Sequence, residues 1–107
     1  MTTVGDEGGY APAVRNGNRE ALDLMSSAIA SAGYTLGTHF VFALDVAASE
    51  FFADGEYSLH KDGRSLSSSE MIDWCKELTS AYPIVSLEDP LDENDWKGWS
   101  EIGRAHV

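Results

Sequence analysis

Two segments decide the fold of this 107-residue chain: HFVFAL at His39–Leu44 and SSSEMIDWCKELTSAYPIVSLE at Ser67–Glu88. The first is almost continuously apolar without alternation, which is typical of a strand buried on both faces of a parallel sheet. The second opens with a capping box formed by Ser67 and Glu70, continues as an amphipathic helix and ends in a short strand, Ile84–Leu87. A strand, a long crossover and a second strand imply parallel neighbours joined with right-handed chirality. The sequence therefore predicts an α/β fold.

Turn and cap signals place the remaining elements around these two strands. The first 17 residues are rich in glycine and predict a long loop. A helix is expected from an N-cap at Asn18 to a stop at Gly33. The segment Phe51–Leu59 predicts a β-hairpin that turns at Asp54–Gly55. A third helix is expected to begin near Asp92.

The composition excludes several classes of protein. Hydrophobic residues make up 43% of the chain and charged residues 23%, which is typical of neither a disordered tail nor a membrane protein. No apolar run reaches the roughly 18 to 20 residues that span a bilayer, and no signal peptide is expected at Met1. The net charge of −11 argues against nucleic acid as a partner and is compatible with cation binding. A single cysteine, Cys75, excludes a disulfide framework and suits a reducing compartment.

Acidic residues stand at the ends of both predicted strands. Asp45 follows the first strand and Glu88 ends the second, so parallel pairing would bring the two carboxylates to one edge, roughly 5 to 10 Å apart. Active sites of α/β sheets and barrels lie at that edge. A hard divalent cation would relieve the repulsion between the carboxylates, and Mg²⁺ is predicted because no Cys/His cluster favours zinc. The alternative is a structural role for each acid as a helix N-cap.

The loop GDEGG at Gly5–Gly9 presents a carboxyl group, Glu7, between glycines that let the backbone approach a ligand closely. A general acid needs such a position and a raised pKa, which neighbouring carboxylates would provide. The alternative is an acidic, turn-rich loop without a catalytic role.

Four segments together resemble the enolase family, the glycolytic phosphopyruvate hydratases. They are VGDEGGYAP (Val4–Pro12), REALDLM (Arg19–Met25), LDVAASEFF (Leu44–Phe52) and YPIVSLEDPLDENDW (Tyr82–Trp96). The resemblance runs from about Thr3 to Ile102, with the segments in the family's order. It implies that residues 1–107 are part of an enolase-type (β/α)8 TIM barrel, the C-terminal domain, without the N-terminal domain and most of the barrel.

The resemblance also implies roles for the three acids. Glu7 matches the proton donor and contacts the substrate; Asp45 and Glu88 match ligands of the Mg²⁺ cofactor, and Glu88 is also a substrate-binding residue. The implied enzyme is a cytoplasmic, homodimeric hydro-lyase that interconverts 2-phosphoglycerate and phosphoenolpyruvate, in a family also found at the cell surface or secreted. The third metal ligand and the catalytic lysine are expected beyond Val107. The chain alone is therefore expected to be inactive and to fold marginally or not at all.

Two other functions fit the same residues less well. One is another metal-dependent dehydratase or racemase of the enolase superfamily, which the GDEGG loop disfavours because such relatives generally lack it. The other is a non-catalytic remnant or surface-binding fragment.

Overall fold

A computed structural model describes residues 4–11, 14–15 and 17–105 of the chain. Pro12, which belongs to the predicted N-terminal loop, lies outside the described residues. Within them the helices are α1 (Asn18–Ser31), α2 (Ser68–Ala81) and α3 (Trp96–Ala105). The strands are β1 (Phe42–Asp45), β2 (Phe52–Ala53), β3 (Glu56–Leu59), β4 (Arg64–Leu66) and β5 (Ile84–Glu88).

The central feature is a parallel pair of strands, β1 and β5, which confirms the predicted strand–helix–strand unit with α2 as its crossover. Phe42 pairs with Ile84 at one end of the register and Asp45 pairs with Glu88 at the other. These two strands form an open sheet, not a closed barrel. Among the described residues, no helix combines the length and the apolar character that crossing a bilayer requires.

The prediction that β1 is buried on both faces is wrong. Phe42 is buried and Leu44 is half-buried, whereas Ala43 and Asp45 are exposed. The side chains of Leu44 and Leu87 pack against the hydrophobic core, on the face that the helices cover. Among the described residues, Ala43 on the opposite face stays exposed, whereas in a closed barrel side chains from the other strands fill that space.

A second, antiparallel sheet is formed by β2, β3 and β4. The predicted hairpin is confirmed: β2 and β3 are joined by Asp54 (φ 53°) and Gly55 (φ 79°), both in the left-handed region that a two-residue hairpin turn requires. The third strand, β4, was not predicted, because three residues with one buried side chain, Leu66, carry too little periodicity.

The helix α1 begins at Asn18 itself, one residue earlier than expected, so the prediction of Asn18 as its N-cap is wrong. Gly17 occupies the N-cap position with φ 101° and has no side chain to offer. Asp62 caps the helix instead, because its Oδ1 accepts a hydrogen bond from the backbone N–H of Asn18 (2.9 Å). Its Oδ2 accepts a second one from Asn18 Nδ2 (3.2 Å).

The helix α2 begins as predicted. Ser67 Oγ accepts a hydrogen bond from the N–H of Glu70 (3.2 Å), and Glu70 Oε1 accepts one from the N–H of Ser67 (2.9 Å). The hydrogen bond that the N–H of Ser67 donates to the Glu70 carboxylate, followed by the effect of the Ser67 side chain, lowers the pKa of Glu70. The buried face of α2 contributes much of the core and includes Cys75, whose pKa is raised to about 11 by burial.

The helix α3 begins at Trp96 rather than near Asp92. Asp92 forms a turn of its own, in which its Oδ2 accepts a hydrogen bond from the N–H of Asn94 (3.0 Å). Asp95 Oδ1 then accepts one from the N–H of Gly98 (3.0 Å) and caps the first turn of the helix.

Candidate metal centre

Asp45 lies at the C-terminal end of β1, where the chain turns sharply. Its Oδ1 accepts a hydrogen bond from the N–H of Ala47 (3.0 Å), and Ala47 is in the left-handed region (φ 50°). The neighbouring N–H of Val46 donates to the carbonyl oxygen of Glu88 (2.9 Å), which extends the pairing of the two strands to their last residues. The side chain of Asp45 is therefore held at the sheet edge by its own turn.

Glu88 ends β5 and is followed by Asp89, whose backbone is also left-handed (φ 47°). Successive side chains of an extended strand point to opposite faces of the sheet. The change of backbone conformation at Asp89 breaks that alternation and lets its carboxylate reach the same place as that of Glu88. The carbonyl oxygen of Asp89 accepts a hydrogen bond from the N–H of Ala48 (3.0 Å), which ties this turn to the segment after β1.

Three carboxylates thus converge at the end of the parallel pair. Oxygen atoms of Asp45, Glu88 and Asp89 all lie within 4.8 Å of one another, and all three residues are exposed. Oxygen ligands on opposite sides of Mg²⁺ are about 4.2 Å apart, and those on Ca²⁺ about 5 Å. The donor set therefore fits a hard divalent cation with little rearrangement. The structure brings Asp45 and Glu88 together; their role as metal ligands stays a prediction.

Asp89 is a member of this group that the sequence does not predict. It precedes Pro90, and a residue before proline ordinarily prefers an extended backbone, which would have continued the strand and turned the carboxylate away. No local signal indicated the left-handed conformation that places it beside Glu88.

Glu7 lies exposed in a small turn that closes on itself. The N–H of Gly5 donates to the carbonyl oxygen of Gly9 (2.8 Å), and the N–H of Gly8 donates to that of Gly5 (3.0 Å). Val4 and Tyr10 form an isolated antiparallel bridge across the base of the turn. Glu7 does not belong to the group of three carboxylates, so its catalytic role also stays a prediction.

The loop that follows β5 is held by a network around Asp95. Asp95 Oδ2 accepts hydrogen bonds from Ser68 Oγ (2.5 Å) and from the Tyr57 hydroxyl (2.7 Å). Burial works to raise the pKa of Asp95, but the hydrogen bonds from Ser68, Tyr57 and the N–H of Gly98 outweigh it and lower that pKa. Burial, together with the hydrogen bond to Asp95, raises the pKa of Tyr57 well above its usual range.

Comparison with known proteins identifies the family. The model for "Enolase, C-terminal TIM barrel domain" matches residues 1–106. The chain belongs to the enolase family. Enolases from Legionella pneumophila strains Corby and Paris are each 52% identical to it over 101 residues, which cover 94% of this chain and 24% of each relative. The enolase of strain Lens matches at the same identity and coverage.

Family membership confirms the resemblance found in the sequence and the α/β class. The chain spans about a quarter of the length of the curated enolases that it matches, and its two parallel strands form an open part of the enolase barrel. Enolases are metal-dependent proteins. Within the residues that the structure describes, the acidic group that could hold an ion consists of Asp45, Glu88 and Asp89.

Proposed function

We propose that residues 1–107 belong to the barrel domain of a glycolytic enolase, a hydro-lyase that interconverts 2-phosphoglycerate and phosphoenolpyruvate with Mg²⁺. The observation that carries this proposal is the register of the parallel strands, which pairs Asp45 with Glu88 in a chain of the enolase family. The 52% identity over nearly the whole chain supports an enolase over another metal-dependent dehydratase or racemase.

Asp45 and Glu88 would hold the cation at the sheet edge. When bound, Mg²⁺ supplies positive charge that stabilises the negative charge developing on the substrate carboxylate. Asp45 contributes an oxygen fixed by its hydrogen bond from the N–H of Ala47 (3.0 Å). Glu88 contributes a second oxygen from the paired strand and also contacts the substrate. A carboxylate pair of this kind suits Mg²⁺ because hard cations take oxygen ligands.

Glu7 would act as the general acid and contact the substrate. Its carboxyl group would donate a proton to the 3-hydroxyl of 2-phosphoglycerate, so that the hydroxyl leaves as water. The glycines around it leave the turn free of bulk, and Gly8 takes φ 87°, a conformation that a side chain would oppose. In the reverse reaction the carboxylate of Glu7 would take that proton back from the attacking water.

A chimera tests these roles. The aligned segment of the Legionella pneumophila enolase is replaced by the segment of this chain, and phosphoenolpyruvate formation is followed by its ultraviolet absorbance. We expect the chimera to be active with Mg²⁺, and Glu88→Gln or Asp45→Asn to lower kcat/KM at least a hundredfold. Glu56→Gln, an exposed acid in the hairpin, is the matched control and should leave the activity unchanged. Full activity of the Glu88→Gln chimera would refute the ligand assignment.

The intact protein is proposed to be a cytoplasmic homodimer. For the 107-residue chain alone we expect no turnover, because the lysine that would remove the C2 proton is expected outside it. Phosphoenolpyruvate formation above a blank by the purified chain with Mg²⁺ and 2-phosphoglycerate would contradict that expectation.

A further inference from the structure

The segment between β1 and α2 folds over the loop that follows β5 and holds it at two points. The N–H of Ala48 donates to the carbonyl oxygen of Asp89 (3.0 Å). Three residues later, the N–H of Asp92 donates to the Tyr57 hydroxyl (2.8 Å), and that hydroxyl donates to Asp95 Oδ2 (2.7 Å). Pro90 lies between the two points and has no N–H to donate. The loop is therefore held by hydrogen bonds before and after the proline, not at the proline itself.

Tyr57 is a rigid anchor. The residue is fully buried, with 0% of its surface exposed. Its ring packs against the rings of Phe52 and Phe51, with centroids 4.6 and 6.2 Å away. The hydroxyl donates one hydrogen bond and accepts another. Moving it would break both bonds and leave buried polar groups without partners. The end of β5 is therefore tied to a fixed atom of the second sheet.

Asp89 needs such support. It combines a left-handed backbone (φ 47°) with a position directly before Pro90, where an extended backbone is preferred. Strained residues of this kind persist only where the surrounding structure holds them. If the loop relaxed, Asp89 would return to the extended conformation and its carboxylate would leave the group formed with Asp45 and Glu88.

We propose that Tyr57 is a positioning residue for the metal centre. By fixing Asp92 and Asp95, its hydroxyl holds the turn at Asp89, and thereby keeps the carboxylates of Glu88 and Asp89 within reach of Asp45. This inference rests on the proposed function, since it assumes that these carboxylates bind a cation. Nothing in the local sequence around Tyr57 indicates the role; the fold brings the residue to the end of β5.

Binding of Mn²⁺, used as a spectroscopic probe for the cation, tests the proposal on the 107-residue chain by electron paramagnetic resonance. Tyr57→Phe keeps the ring and removes only the hydroxyl. Loss of partners that orient metal ligands typically weakens metal binding by about 10- to 100-fold, and we expect about a tenfold rise in the Kd for Mn²⁺. Tyr82→Phe is the matched control, because Tyr82 also donates to an aspartate, Asp23 Oδ1 (2.6 Å), between α1 and the end of α2. It should change the Kd less than twofold.

Asp45→Asn separates this inference from the proposed function. If Asp45→Asn weakens Mn²⁺ binding but Tyr57→Phe does not, the metal centre stands and the role of Tyr57 is wrong. If Asp45→Asn has no effect, the metal centre itself is wrong. A lower melting temperature for Tyr57→Phe with an unchanged Kd would show a merely structural role. If the unsubstituted chain does not bind Mn²⁺, the same variants are made in the Legionella chimera. The Kd for Mn²⁺ of each variant is then compared with that of the unsubstituted chimera, and the same outcomes apply.

Discussion

Replacing Gly17 with alanine tests how the start of α1 is built. Gly17 has φ 101° and ψ 176°, a region of backbone conformation that is essentially restricted to glycine. A Cβ at this position would approach Asp62 Oδ1 to 1.9 Å. Asp62 would have to swing away and release the N–H of Asn18, so the substitution combines backbone strain with the loss of the helix cap.

Two contributions set the expected loss of unfolding free energy in Gly17→Ala. The strained backbone costs about 1 to 3 kcal/mol and the lost cap about 0.5 to 2 kcal/mol, so we expect Gly17→Ala to lower the free energy of unfolding by about 1.5 to 5 kcal/mol. Gly63→Ala is the matched control, because Gly63 also has a positive φ (66°) but open space where the Cβ would lie. It should cost only about 1 to 2 kcal/mol.

Urea unfolding followed by far-ultraviolet circular dichroism measures both variants in the 107-residue chain, or in the Legionella chimera if the chain alone does not unfold cooperatively. A third variant, Asp62→Ala, removes the atom that the new Cβ would meet. The double variant with Gly17→Ala should lose less unfolding free energy than the two single variants lose together, because the cap can be lost only once. Equal stability of Gly17→Ala and Gly63→Ala would refute the reasoning.

Three further predictions concern other parts of the chain. Ser67→Ala removes half of the capping box and should lower the free energy of unfolding by about 1 kcal/mol, whereas Ser80→Ala, exposed near the end of α2, should not lower it; urea unfolding checks both. Burial raises the pKa of Cys75 from 9.0 to about 11, so the folded chain holds its thiol proton more tightly than the unfolded one. Its contribution to stability is therefore complete below pH 9 and is lost as the pH rises to 11, and a melting-temperature series should lose this slope in Cys75→Ala. Asp89→Asn should weaken Mn²⁺ binding severalfold, while Asp54→Asn, in the hairpin turn, should leave it unchanged; an unchanged Kd for Asp89→Asn would remove Asp89 from the metal centre.

The sequence by itself determined the features that depend on near neighbours or on the order of the elements along the chain. The capping box needs only Ser67 and Glu70, three residues apart, and the hairpin needs only Asp54 and Gly55 between two short apolar segments. The parallel pairing of β1 and β5 follows from the length of the crossover between them, and with it the juxtaposition of Asp45 and Glu88. These features follow from local propensities and from rules of chain connectivity, which can be applied to the sequence without knowing any particular side-chain contact.

Only the tertiary structure decided the contacts between distant parts of the chain. Asp62 caps a helix that begins 44 residues before it, and Tyr57 reaches Asp92 across 35 residues. The left-handed turn that brings Asp89 beside Glu88 opposes the preference of a residue before proline. Such contacts form only where the fold brings the partners together. Neither the periodicity nor the spacing of residues along the chain predicts them. The same holds for the uncovered face of β1, since burial depends on which elements surround a strand and not on its own apolar residues.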